Sequence, residues 1–292
     1  MKKIKIKTPA KLNLVLEILG KRKDGFHEIR SIMQAINLFD FLSVETEDND
    51  AEIIKISGNN PQIPYDENNI AFKAAKMFLK TADIKNQKVN IHIEKNIPVA
   101  AGLAGGSSNA AGTLWGINKL YGNPLSADQL HFLASELGSD VNFCLTGGTC
   151  QATSRGEKIQ RINTPDLKFL IVKPSKLFIS AKEAYQKYSG SPIKSEIKNF
   201  DTMKKVILEK TTNIKTVAKL LNNDLEKAIL QAYPEINKVK QLIIKAGCQN
   251  AIMSGSGPTV FGIYENDIKI DFSKDSYDVF KAVSINYGVK ES

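Results

Sequence analysis

The stretch Pro98-Val99-Ala100-Ala101-Gly102-Leu103-Ala104-Gly105-Gly106-Ser107-Ser108 joins two segments of different period. Before it, Val89-Asn90-Ile91-His92-Ile93-Glu94 alternates apolar and polar, the period of a half-buried strand. After it, Ala110, Ala111, Leu114, Ile117 and Tyr121 recur at helical spacing until Gly122-Asn123-Pro124 stops them. The stretch is therefore a glycine-rich turn from strand to helix. Gly102, Gly105 and Gly106 lack Cβ, so backbone N–H groups can close around an oxyanion. Two serines and the positive end of the helix add donors. That combination suits a polyphosphate. It is not a Walker A loop, since no G-x-x-x-x-G-K-[ST] occurs, and G-x-G-x-x-G is absent here. The plainer alternative is a glycine turn with Ser107 or Ser108 as the helix N-cap.

Outward from this turn, strands and helices mix without a regular βαβ cadence, which predicts an α+β fold. Ala10, Leu12, Leu14, Leu16 and Ile18 share one parity of an N-terminal strand; Lys11, Asn13, Val15 and Glu17 share the other. Lys11 and Asn13 therefore stand side by side, on the face away from the core. Asp24-Gly25-Phe26-His27 is a turn signal, and 29–47 reads as more strand. Ile70, Ala71, Ala74, Ala75, Phe78 and Leu79 predict an amphipathic helix over 68–81. Ser126-Ala127-Asp128-Gln129 has the form of a capping box, with Gly138 placed to close that helix in the left-handed region. Residues 168–173 read as a buried strand and 215–247 as helices broken near Pro234. Ser254-Gly255-Ser256-Gly257 is a tight loop between two apolar strands.

The 292 residues allow one large domain or two ordinary ones, and a shift in composition near the Arg155-Gly156 loop suggests two, 1–156 and 157–292. The net charge is +9. Through residue 156 there are 18 basic and 16 acidic residues; beyond it, 22 and 15. The excess lysines are scattered, which suits an anionic small molecule as well as nucleic acid. Against nucleic acid, aromatics are not interleaved with the lysines, and no RNP or GXXG element stands in its usual context. Cys144, Cys150 and Cys248 are an odd number without C-x-x-C, which argues against a disulfide scaffold or zinc ribbon and favours a reducing compartment. Lys11, Asn13 and Glu17 interrupt any signal-peptide core, and no apolar run approaches ~18 residues, so a soluble, cytoplasmic protein is expected.

Two residues gain meaning beside a phosphate cradle. Phosphoryl transfer to a hydroxyl needs a carboxylate to take or orient the proton and a cation to offset phosphoryl charge. Asp140 and Lys11 could supply these, although helix capping and a solvated lysine are the ordinary readings of each. Phe26 and His27 could stack on and hydrogen-bond a base, or simply decorate a turn. His92 and His131 read as structural, and no His/Cys/Glu spacing points to a metal site held by the protein.

Three stretches together resemble the GHMP kinase superfamily: Pro9-Ala10-Lys11-Leu12-Asn13-Leu14, the stretch 98–108, and Ser254-Gly255-Ser256-Gly257-Pro258-Thr259-Val260-Phe261. Gly20 to Glu28, Leu137-Gly138-Ser139-Asp140-Val141 and Asn223-Asp224-Leu225-Glu226 are most similar to its branch of 4-diphosphocytidyl-2-C-methyl-D-erythritol kinases, of non-mevalonate isoprenoid biosynthesis. Mevalonate- and homoserine-type kinases are the nearest alternative. The resemblance implies an N-terminal ATP-binding domain like ribosomal S5 domain 2 and a ferredoxin-like C-terminal domain on the substrate side. The third stretch would fold over the cleft between them.

The resemblance further implies ATP with Mg²⁺ and transfer of the γ-phosphoryl group to the substrate's 2-hydroxyl. Asp140 and Lys11 match the catalytic pair. Pro98, Val99, Ala100, Ala101, Gly102, Leu103, Ala104, Gly105, Gly106, Ser107 and Ser108 match the ATP phosphate site. Asn13, Phe26, His27 and Tyr185 match substrate contacts, the aromatics around cytosine. A monomer or weak homodimer is expected, with no nucleic-acid or membrane partner. The sequence departs from the pattern at Phe26 (often Tyr), at Ala104 (often Gly, here expected at negative φ) and at Ala181 (where Thr is expected).

Overall fold

The computed structural model describes residues 1–192, 198–209, 212–271, 273 and 275–292. The first part of the chain forms β1 (Lys2–Lys21), β2 (His27–Asp48), β3 (Ile53–Gly58), α1 (Ile70–Thr81), β4 (Gln87–Glu94), α2 (Gly105–Leu120), α3 (Ala127–Leu137), α4 (Val141–Thr146), β5 (Thr149–Ser154) and β6 (Lys158–Ile162). The second forms β7 (Lys168–Pro174), α5 (Ala181–Gly190), α6 (Phe200–Leu208), α7 (Ile214–Leu220), β8 (Asn222–Asn223), α8 (Glu226–Ala232), α9 (Glu235–Lys245), β9 (Ala251–Met253), β10 (Val260–Tyr264), β11 (Tyr277–Val283) and β12 (Lys290–Glu291). The fold is α+β, as the mixed periodicities predict.

One sheet runs β12-β1-β2-β4-β3, with β5 joined to β2, β6 to β5 and β8 to β1. The other runs β11-β7-β10-β9 and is antiparallel throughout. Counted by its own strands, that order is fourth, first, third, second, and helices cross over between the first two, a split-βαβ arrangement. Among the described residues no helix stands between β10 and β11. Residue 156 falls in the turn of the β5–β6 hairpin, whose second strand still pairs in the first sheet. The chain's end returns to that sheet as β12 against β1.

Local signals act where the sequence has them. The Asn69 side chain caps α1 by accepting from Ala71 N–H, and the helix buries Ala71, Ala74, Ala75, Phe78 and Leu79. The capping box of Ser126 and Gln129 forms at the start of α3. Gly138 is not left-handed as expected. Its φ of 169° is extended backbone, so the chain leaves α3 straight toward Ser139 and Asp140. Neither Ser107 nor Ser108 is an N-cap. Helix α2 starts earlier, and its cap is Ala104 at φ 59°. The expected negative φ at Ala104 is therefore corrected. Its methyl packs against the first core, which offsets the ~1–2 kcal/mol that a left-handed L-residue costs.

The polar parity of β1 is also not at the surface. Lys11 is 4 %, Asn13 2 %, Val15 0 % and Glu17 0 % exposed. Elements of the second half cover it. Glu17 accepts from Phe200 N–H at the start of α6 and from Arg30, and the 254–257 loop lies over Lys11. The core beneath carries Phe169 and Phe261 edge to face at 5.9 Å, a geometry worth ~0.5–1.5 kcal/mol beyond its buried area. The three cysteines are buried, free thiols. Burial pushes Cys150 and Cys248 up to about 12, which keeps them protonated and unreactive. Among the described residues, no helix is long and apolar enough to cross a membrane.

Candidate active site

A cavity of about 860 Å³ opens where β1, the loop before α2, the starts of α1 and α5, and the 254–257 loop meet. Every sequence-predicted site residue lines it except Ser108. Ser108 is fully buried; its hydroxyl donates to the Pro9 carbonyl at 2.7 Å and its N–H to the Ala104 carbonyl at 2.8 Å. It fastens α2 to β1 and has no donor left for the cavity.

The glycine loop is built from left-handed residues at alternate positions: Ala100 at φ 49°, Gly102 at 71° and Ala104 at 59°. Such alternation turns successive N–H groups toward one concavity, a nest for an anion. Helix α2 follows directly, and no side chain caps its N-terminus. The N–H groups of its first turn thus keep their affinity for negative charge. Gly102 could be nothing else, since a Cβ there would stand 2.1 Å from the Ser254 carbonyl oxygen. The Ser254 hydroxyl donates to the Gly102 carbonyl at 3.0 Å, so the two glycine loops, far apart in sequence, touch. Asn223 holds the second loop by donating to the Met253 and Gly255 carbonyls, both at 2.8 Å. Asp224 ties that bracket to β1 by accepting from Ile18 N–H at 2.9 Å.

Lys11 and Asp140 come together. Lys11 Nζ lies 3.6 Å from Asp140 Oδ2 and donates to Asn13 Oδ1 at 2.6 Å. A Cβ on Gly255 would stand 3.0 Å from that ammonium. Asp140 occupies the N-cap position of α4, yet its side chain makes no capping bond. Its carboxylate is free for other work, and the side chain keeps 30 % of its surface exposed. His92 and His131 stay structural, paired with Ser57 and Asn142.

Phe26, His27 and Tyr185 also converge. The rings of His27 and Tyr185 stack at 5.0 Å with 21° between planes, and His27 Nε2 lies 3.0 Å from Ser189 Oγ. Phe26 is half exposed, with the Arg155 guanidinium 5.1 Å from its ring centre. Burial holds the Tyr185 phenol above its ordinary range, and the negative charge of Asp140 adds to the effect. The partner stacked on Tyr185 is thus His27 itself. Ala181 lines the cavity without a hydroxyl.

Sequence reasoning missed Lys95, Asp40 and Arg155. Arg155 was visible only as part of a loop. Lys95 lines the cavity beside Gly105, where a Cβ would meet its Nζ at 2.5 Å. It is paired with buried Asp40. Burial lowers the Lys95 pKa, and Asp40 opposes that. The two lie 55 positions apart, and nothing in the local pattern of either predicts the other.

Among the described residues, no group of three or more His, Cys, Asp or Glu could hold a metal ion. The hard oxygens facing the cavity, on Asp140 and Ser107, fit a Mg²⁺ that takes most of its ligands from phosphate and water.

Residues 69–148 match the model of the GHMP kinases N terminal domain, and 203–275 that of the GHMP kinases C terminal. A protein of Caldicellulosiruptor saccharolyticus named 4-diphosphocytidyl-2-C-methyl-D-erythritol kinase is 41 % identical over 95 % of this chain and 90 % of its own. One of the same name from Clostridioides difficile is 43 % identical over 90 % and 87 %. A crystal structure titled 4-(cytidine 5'-diphospho)-2C-methyl-D-erythritol kinase superposes with a TM-score of 0.73 at 26 % identity, covering 96 % of this chain and 99 % of that one. A homoserine kinase from Cytophaga hutchinsonii shares the fold, with a TM-score of 0.76 at 20 % identity over 100 % and 98 %. Two matched domain models and relatives this similar over nearly the whole length are enough to conclude that this chain belongs to the GHMP kinase family.

Proposed function

We propose that the chain transfers the γ-phosphoryl group of ATP to the 2-hydroxyl of 4-diphosphocytidyl-2-C-methyl-D-erythritol. The observation that carries this reading is one cavity holding an anion cradle, a Lys–Asp pair and an aromatic–histidine group. The named relatives at 41–43 % identity support it.

In this reading the loop 98–107 and the start of α2 grip the nucleotide's phosphates. Preorganised N–H groups stabilise charge there without the reorganisation that water would need. Asp140 accepts the proton of the substrate hydroxyl as the hydroxyl oxygen bonds to the γ-phosphorus and the bond from phosphorus to the ADP oxygen breaks. Lys11 offsets the charge on the phosphoryl oxygens. Asp140 and Ser107 are the side chains that would hold Mg²⁺, which would supply positive charge against the nucleotide's phosphates. Asn13 and the group of Phe26, His27 and Tyr185 face the substrate, the aromatics taking the cytosine.

An ATP-consumption assay across candidate alcohols, with and without the cytidine group, tests this. Turnover restricted to the cytidylyl alcohol supports it; turnover of mevalonate or homoserine instead overturns it for another kinase of the family. His27→Ala should raise KM for the cytidylyl substrate by ~10-fold or more and leave KM for ATP unchanged, the cost of losing a hydrogen bond and a stacked ring. An equal rise in both KM values counts against a base site at His27.

A further inference from the structure

Ser31 lies on β2, fully buried, and faces no part of the cavity. Its hydroxyl donates to the Val15 carbonyl at 2.5 Å, which commits its one proton. What remains is acceptor capacity, and Asn13 Nδ2 fills it by donating at 2.9 Å. That decides which way the Asn13 amide faces. Its nitrogen points to Ser31, and its oxygen receives Lys11 Nζ at 2.6 Å. Turned over, the amide would set NH₂ against an ammonium and leave Ser31 with nothing to accept. Lys11 in turn lies 3.6 Å from Asp140. A continuous run of polar contacts thus leads from the Val15 carbonyl to the carboxylate of Asp140. It starts where the β1–β2 register shifts, between Asn13 and Val15. Irregularities of this kind re-aim side chains beside active sites. Ser31 is fully buried and off the cavity, so water cannot take its place beside Asn13.

We propose that Ser31 is a positioning residue for phosphoryl transfer: through the Asn13 amide it fixes the Lys11 ammonium opposite Asp140. The inference rests on the reading of Lys11 and Asp140 as the reacting pair. Ser31 itself touches neither substrate nor nucleotide.

The test compares Ser31→Thr, Ser31→Ala and Ser31→Val. Thr and Val match in shape and differ in the hydroxyl, so volume and hydrogen bonding separate. Ala and Val should lower kcat by ~10- to 100-fold, the cost of a misplaced reacting group, with KM for ATP within about twofold. Thr should keep kcat within about threefold, because the acceptor is restored. In an Asn13→Ala background, Ser31→Ala should change kcat by less than about twofold, since the group it orients is gone. Equal losses in Thr and Val, or a fully additive loss with Asn13→Ala, overturn the assignment. Lys11→Met, measured alongside, keeps the two failures apart. Near-normal turnover there removes the reacting pair itself. A strongly impaired Lys11→Met beside normal Ser31→Ala and Ser31→Val overturns Ser31 alone.

Discussion

Asp140→Asn should cut turnover by ~10²–10⁴-fold while nucleotide binding stays nearly intact. The side chain is close in shape to aspartate, and the local fold hangs on the backbone: the Asp140 carbonyl accepts from Cys144 N–H at 3.0 Å. The side chain makes no capping bond that Asn would break. What changes is the ability to take a proton, at a position 3.6 Å from the Lys11 ammonium and lining the cavity. An ADP-release assay together with a titration of ATP binding reads the two effects separately. A variant that keeps more than about a tenth of normal turnover is not missing its general base.

Asp40→Ala should destabilise the protein by about 3–5 kcal/mol, the range for breaking a buried ion pair on one side. The Asp40 side chain is fully buried and that of Lys95 3 % exposed. The carboxylate accepts from Lys95 Nζ at 2.5 Å, from Asn96 and Ile97 N–H at 2.7 Å each, and from Asn109 Nδ2 at 2.8 Å. Without it, the buried Lys95 ammonium and the Ile97 N–H lose their acceptor, and Asn109 keeps only a longer bond to Thr8 Oγ1 at 3.4 Å. Asn96 and Ile97 open the glycine loop, and Asn109 lies on α2, so both walls of the phosphate cradle should loosen. The expected result is a lower urea midpoint at unchanged slope, together with a higher KM for ATP in the surviving protein. A loss below about 1 kcal/mol would mean that this ion pair is peripheral to the fold.

Most elements were legible because their local rules agree with the tertiary result. Ser126 and Gln129 cap where capping chemistry puts them, and β4 alternates where it is half buried. The misreadings share a cause. Intrinsic preference favours a left-handed Gly138 and a negative φ at Ala104, and each adopts another angle because of what lies beyond it. By residue type Ser108 suits a phosphate loop, yet its place on α2 turns it to the Pro9 carbonyl. Lys95 and Arg155 carried no local signal, because each matters through a partner distant in the chain.

From the sequence alone came the strand–glycine turn–helix unit, the α+β class and the pairing of Lys11 with Asn13 on one strand face. Period and missing Cβ atoms are properties of a few neighbouring residues, and they survive any choice of topology. The tertiary structure decided that this polar face is buried, that the loops at 102 and 254 touch, and that Asp140 meets Lys11. The first two depend on how the second sheet and its helices settle against the first, and the third on how α4 packs beside β1. Contacts between residues more than a hundred positions apart are set by the packing of whole elements, and no window of sequence contains it.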